Sequence, residues 1–265
     1  MEYIKTKSNF QQFKSVIFAL LIRETKTRFG QRNFGFFWVF AEPLLHVLVL
    51  TAVLVFLKNR MMAEISFELF LITGLIPFFL FRNIVKGLMT CIDANRALFA
   101  YKPVKPIDTY LTRVILETFI YSVVFIFLIF IFGFWGGFDV SISNPFELML
   151  NFFLLIIMSF SIGILLSMLY DLFPLTKTIV NVFFLPLYFL SAIMYPLWII
   201  PASYLKYLEY NPILQIIELL RRNFFSNYPV TGNINIHYPL FITIVTLFLA
   251  LFFYRYRRIK LIAKK

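Results

Sequence analysis

The sequence predicts an all-α integral membrane protein, a fold class that rests on three observations. Of 265 residues, 61% are hydrophobic and 14% charged, against roughly 45–50% and about 25% in an average soluble domain. A compact soluble fold has too little interior for 36 phenylalanines on top of its leucines and isoleucines, so lipid must be the solvent for much of the chain. The apolar residues also gather into six runs, each near the roughly 20 helical residues needed to cross about 30 Å of hydrocarbon. Finally, the 25 Lys and Arg residues, set against 13 Asp and Glu for a formal charge of +12, are divided unevenly between the segments that join those runs.

In chain order, residues 1–12 carry charged and polar groups instead of a short apolar run, so no cleavable leader is expected. Over 10–29, Phe10, Phe13, Ile17, Leu20 and Leu21 recur at helical spacing while Gln11, Gln12, Lys14 and Ser15 fall elsewhere. This pattern predicts a basic amphipathic helix on the membrane surface, with Ser8 and Gln11 as a capping box and Glu24 and Arg28 as a favourable pair four residues apart. The six expected transmembrane helices are 36–57, 67–90, 111–134, 146–170, 179–200 and 238–256. Trp38, Trp135, Tyr170, Trp198 and Tyr254 at their ends suit the membrane interface.

Two connecting regions carry structure of their own. Asp93 can cap a short helix that Pro103 ends, and Asp108 can cap the next span, so 93–108 is expected to be a structured loop. Pro186, Pro196, Pro201 and Pro212 punctuate apolar stretches too short to cross. Asn211-Pro212 reads as a cap and first helical residue, opening a helix through Ile213, Ile216, Ile217 and Leu220. Broken helices persist at membrane depth only when buried in protein or lining a water-filled path, which makes 191–226 a candidate gate with short re-entrant helices.

With the N-terminus inside, twenty of the 25 basic residues fall on the inner side. Only Lys58, Arg60, Lys206, Arg221 and Arg222 remain outside. The positive-inside rule then places both termini in the cytoplasm, and the positive charge reports topology instead of nucleic-acid binding.

The chemistry of a membrane-embedded enzyme is missing. His46 and His237 are the only histidines, no His-Glu or Cys pairing occurs at metal-ligand spacing, and Cys91 has no partner for a disulfide. No Gly-rich stretch followed by Lys and Ser or Thr appears, so neither cofactor nor ATP is expected on this chain and any ATP belongs to a partner. An ion-coupled secondary transporter of a small solute is the rival class, weakened by the uncharged 123–136 stretch and the lack of an internal repeat. Among intramembrane charges, Glu42 must find a partner or water, and His46 four residues on shares its face. Arg113 and Glu117 can pair within one helix.

Several ordered motifs agree on a resemblance. Arg23-Glu24-Thr25-Lys26-Thr27-Arg28-Phe29-Gly30, Gly35-Phe36-Phe37-Trp38, Glu42-Pro43-Leu44, Gly74-Leu75-Ile76-Pro77-Phe78-Phe79, the run from Leu98 through Asp108, and Asn211-Pro212 together resemble the KpsM-like inner-membrane permeases of ABC-type capsular polysaccharide exporters. The likeness extends from about Leu20 to Arg222. It implies a homodimer in the bacterial inner membrane that pairs with a separate ATP-binding cassette ATPase subunit and exports lipid-linked polysaccharide. Periplasmic and outer-membrane capsule export proteins would continue the route. An O-antigen or teichoic-acid exporter is the alternative within that class.

Three groups of candidate residues follow. Arg96, Leu98, Phe99, Tyr101 and Lys102 are expected to couple to the ATPase, because apolar anchors stand at the inner face where lipid cannot cover them. Arg28, Arg32 and Lys177 are expected at a substrate entrance, attracting phosphate or an acidic sugar. Phe37, Trp38, Glu42, Tyr188, Ser191, Tyr195 and Trp198 are expected to line the translocation path, where aromatic faces stack on sugar rings without trapping them.

Overall fold

The computed structural model describes residues 9–29, 35–53, 65–100 and 104–263. Among them the regular structure is entirely helical. The helices are α1 (Asn9–Phe29), α2 (Gly35–Val53), α3 (Phe67–Met89), α4 (Cys91–Asn95), α5 (Pro106–Phe134), α6 (Pro145–Leu172), α7 (Thr176–Leu190), α8 (Ala202–Leu208), α9 (Pro212–Phe224) and α10 (His237–Ala263). Single 3-10 turns span Arg96–Ala100 and Leu197–Ile199. Among the described residues four helices, α3, α5, α6 and α10, are long and apolar enough to cross a membrane.

α3 is the axis of the bundle. It is buried along most of its length, as expected of a helix enclosed by others, with α5 and α6 against its length and α2, α7 and α9 on its remaining sides. In α6, Gly163 lets the backbone approach α3, since a Cβ there would stand 2.7 Å from Leu88 Cδ1. Hydroxyls tie the helices where no water is available. Tyr110 and Ser167 meet at 2.7 Å, and Ser161 and Thr246 at 2.9 Å. Pro43 and Pro77 lie inside α2 and α3, which neighbouring helices make tolerable.

One end of the bundle gathers α1, α4, the start of α5 and the end of α10, and is called the basic end below. The other holds α8, α9 and the start of α6, and is called the far end.

The boundaries depart from expectation in physically informative ways. α5 begins at Pro106 instead of residue 111, because Pro106 occupies the first helical position and the Asp108 carboxylate accepts from Lys105 N at 2.9 Å. Asp108 thus caps from inside the helix. Asp93 is likewise not a cap. It lies within α4 and pairs with Arg96 at 2.5 Å, while Thr90 precedes the helix. The largest correction concerns the fifth expected span, 179–200, whose helix is only the fifteen residues of α7. That length covers about 22 Å, short of the roughly 30 Å hydrocarbon core. The remainder turns at Ala192, which holds φ +52°, and continues irregularly to α8. α9 forms as its sequence predicts, with Asn211 Oδ1 accepting from Ile213 N at 3.0 Å. Residues 54–57 of the first expected span and the Ser8 cap lie outside the described residues.

Candidate functional site

At the basic end, α1 is fastened to α5 by a ladder of charge. Glu24 and Arg28 do not pair with each other as their spacing predicts; each reaches across to α5 instead. Glu24 Oε2 meets Arg113 Nη1 at 3.1 Å, Arg28 meets Glu117, and Arg113 closes the ladder on Glu117 at 3.1 Å. Glu117 is fully buried, so its charge requires both arginines. A second tie joins α1 to α4, where Arg23 donates to Asn95 Oδ1 at 2.5 Å and Asn95 Nδ2 donates to Cys91 O at 3.0 Å. Burial pushes the Cys91 thiol up to about 11, against which its contacts with Thr109 and Asn95 are the weaker influence.

The candidate coupling residues sit beside these ties. Phe99 turns into the core, whereas Leu98 lines a cleft of about 390 Å³ shared with Gln12, Val16, Ala19, Leu20 and Val104. Arg96 pairs with Asp93. Tyr101 and Lys102 lie outside the described residues, as does Arg32 of the candidate entrance. Of the other entrance candidates, Arg28 is engaged by Glu117, while Lys177 is exposed in the first turn of α7.

The path candidates divide into an exposed face and a packed one. On α2, Phe37, Trp38 and Glu42 are exposed, and Trp38, Glu42 and His46 line a cavity of about 580 Å³ with Leu45, Val49 and Leu50. Glu42 finds its counter-charge in Arg82 of α3 at 3.0 Å. The Arg82 guanidinium also lies 4.3 Å from the Phe79 ring centroid. His46 bonds not to Glu42 but to the Tyr188 hydroxyl, at 3.3 Å, which joins α2 to α7. Tyr188 is buried edge-on against Phe78.

The other three belong to the turn that follows α7. Ser191 is fully buried and accepts from Asn211 Nδ2 at 3.1 Å. The Tyr195 hydroxyl donates to Phe189 O at 2.6 Å, and Trp198 is wedged edge-on between Phe70 and Tyr228.

The residue that organises this turn escaped the sequence reading, in which it is only an outer charge. Arg221 of α9 is fully buried. Its Nη1 donates to Ala192 O and Glu218 Oε1, both at 2.8 Å, and its Nη2 donates to Ile193 O at 2.9 Å and Phe70 O at 3.3 Å. The guanidinium covers the Phe70 ring at 3.6 Å. It fits because residue 74 is glycine, where a Cβ would stand 2.3 Å from Nη2. Tyr228 OH donates to Glu218 Oε2 at 2.7 Å, and burial, reinforced by that carboxylate, holds the phenol well above its usual range. The available signal was Glu218 three residues before Arg221 on a helix face that is otherwise apolar.

Among the described residues no group of three His, Cys, Asp or Glu side chains could hold a metal ion. The chemistry present is that of buried ion pairs, an exposed aromatic and carboxylate face, and a pinned non-helical turn.

Comparison with known proteins agrees with that character. The chain is 40% identical over 251 residues to the polysialic acid transport protein KpsM of Escherichia coli, covering 95% of this chain and 96% of that protein. It is 28% identical over 239 residues to the capsule polysaccharide export inner-membrane protein CtrC of Neisseria meningitidis, covering 90% and 89%. A further similarity, 27% over 216 residues and 82% and 81% of the two chains, joins it to the capsule polysaccharide export inner-membrane protein BexB of Haemophilus influenzae. Residues 15–225, from the first turns of α1 through α9, match the ABC-2 type transporter family, and the chain belongs to that family.

Proposed function

We propose that the chain is the membrane permease of an ATP-driven exporter that moves lipid-linked capsular polysaccharide across a bacterial inner membrane. The observation that carries this reading is the end-to-end similarity to a polysialic acid transport protein. In this proposal the chain has six spans, α7 completing its own with the non-helical residues that follow it, and both termini are cytoplasmic, so the basic end faces the cytoplasm. It works as a homodimer. ATP is hydrolysed on a separate cassette subunit that docks beside α1 and the 93–105 loop, and periplasmic and outer-membrane capsule proteins receive the polymer.

Expression with a cassette ATPase in a strain lacking its own capsule permease tests this. Co-purification of the two proteins and restored surface polysaccharide are the expected results. Solo proton-coupled uptake of a small solute would overturn the reading. O-antigen export is a second reading, supported by 32% identity over 95 residues to the O-antigen export permease RfbA of Myxococcus xanthus. Restoring O-antigen but not capsule would favour it.

A further inference from the structure

Of the candidate entrance cations, Arg28 is engaged by a buried carboxylate. Lys177, together with two cations of α3, makes a different grouping nearby. On α3, Arg82 and Lys86 are one turn apart and share a face. Lys86 Nζ lies 5.0 Å from the centroid of Phe184 on α7, and no carboxylate among the described residues comes within ion-pair distance of it. Phe184 belongs to the α7 stripe Lys177, Asn181, Phe184 and Tyr188, which repeats at helical spacing. Lys177 thus stands on the same side of α7, about 10 Å toward the basic end. It is exposed where Lys86 is half-buried and, like Lys86, has no ion-pair partner among the described residues.

The α3–α7 seam therefore carries two uncompensated positive charges, Lys86 and Lys177, with the amide of Asn181 exposed one turn after Lys177 on α7. At its inner end Arg82 gives one bond to Glu42, leaving most of its five N–H donors available. Beneath the charges lies a floor of rings. Phe184 packs on Phe78 and Phe81, and Tyr188 on Phe78. A ligand that satisfies both halves is an anion attached to a hydrocarbon. Phosphate suits the cations, since Lys meets it as a point charge and Arg through paired N–H groups, while an acyl or prenyl chain is at home against rings and bilayer.

We propose that Lys86, supported by Lys177 and Arg82, is the binding site for the phosphate group of a lipid, through which a phosphate-anchored substrate enters between α3 and α7. The ligand class deepens the export reading and rests on it, but binding itself is measurable without transport.

The experiment uses the full-length chain in detergent and follows quenching of its tryptophans by phosphatidic acid with brominated acyl chains, compared with brominated phosphatidylcholine. The wild type is expected to prefer phosphatidic acid. Lys86→Gln is expected to weaken that binding about fivefold, the effect of one basic residue near an anionic surface, and Lys86→Arg to preserve it. Lys177→Gln should weaken it less, and Lys206→Gln, on α8 with its ammonium over Tyr207, should leave it unchanged. Undiminished preference in Lys86→Gln would overturn the site. Complete displacement of the lipid by millimolar inorganic phosphate would overturn the lipid as its source. Co-purification of Lys86→Gln with the cassette ATPase separates the two questions, because lost lipid selectivity in an assembled complex tests this site alone, whereas failure of the wild type to assemble touches only the export reading.

Discussion

At the basic end the buried carboxylate of Glu117 sits between two arginines that each keep part of their side chain exposed, whereas at the far end it is Arg221 that is wholly buried, and three backbone carbonyls supplement its single carboxylate partner. With Glu24 counted beside Arg113, both systems contain equal numbers of opposite charges. They differ in what remains when one bond opens. In the ladder, Arg28 can swing toward water and leave Arg113 on Glu117. In the knot, no partner of Arg221 has access to solvent, so loosening one bond strands a charge or a carbonyl. The ladder can be redocked, and the knot holds or fails as a unit. That contrast suits α1 to a surface that moves with a partner, and α9 to a fixed wall.

The strongest test of the contrast is Arg221→Ala. It leaves Glu218 charged and uncompensated, and a loss of about 3–5 kcal/mol is expected, as for other broken buried pairs. Thermal unfolding in detergent would measure it. The double variant Arg221→Met with Glu218→Leu should recover a large part of the loss, and a double variant no better than the single would show that the carbonyl bonds dominate.

The ladder should yield less, and unevenly. Glu117→Gln leaves Arg28 and Arg113 beside a neutral amide and is expected to cost about 2–3 kcal/mol, whereas Arg28→Gln should cost about 1 kcal/mol or less because Arg113 remains and solvent is near. Equal losses would erase the distinction between a redockable and a fixed system.

Gly74→Ala probes the knot from the opposite helix. A methyl group 2.3 Å from Arg221 Nη2 must displace the guanidinium or α9, and about 1–3 kcal/mol is expected by analogy with overpacked cores. The loss should shrink in the Arg221→Met, Glu218→Leu background, where the obstacle is gone. Additive losses would show that Gly74 serves another contact.

The smallest effect is chemical. Cys91 is buried next to the Asn95 tie to α1, and with its thiol pushed up to about 11 it should resist maleimide at pH 7 in the folded chain and react on denaturation. Modification should become appreciable only as pH approaches 11, because the thiolate is the nucleophile. Faster labelling in Arg28→Gln would report α1 lifting from α5, and unchanged labelling would place the protection elsewhere.

Much of this architecture was legible because membrane helices are written in local patterns. The all-helical class, the helix of α1 and the Asn211-Pro212 start of α9 each follow from periodicity or a cap within a few residues. The end of α7 was not legible. The apolar run continues past Leu190 and Pro186 lies inside the helix, so nothing local stops it there. The stop comes from Arg221, which captures the carbonyls of residues 192 and 193 from about thirty positions away in sequence. The candidate site shares that limit. Glu42 could be recognised as needing a counter-charge, but only the fold supplies Arg82, and only the fold shows that Arg28 is engaged while Lys86 is not.

The turn after α7 has a consequence for leakage. Non-helical backbone at membrane depth usually draws in water to satisfy its carbonyls, and a file of such water conducts protons. Here one guanidinium takes the place of those molecules at Phe70, Ala192 and Ile193 together. In the proposed topology this turn thus carries its own fixed hydration. A pathway wide enough for a polymer can then rest beside a bent, unwound segment without that segment becoming a wire for ions.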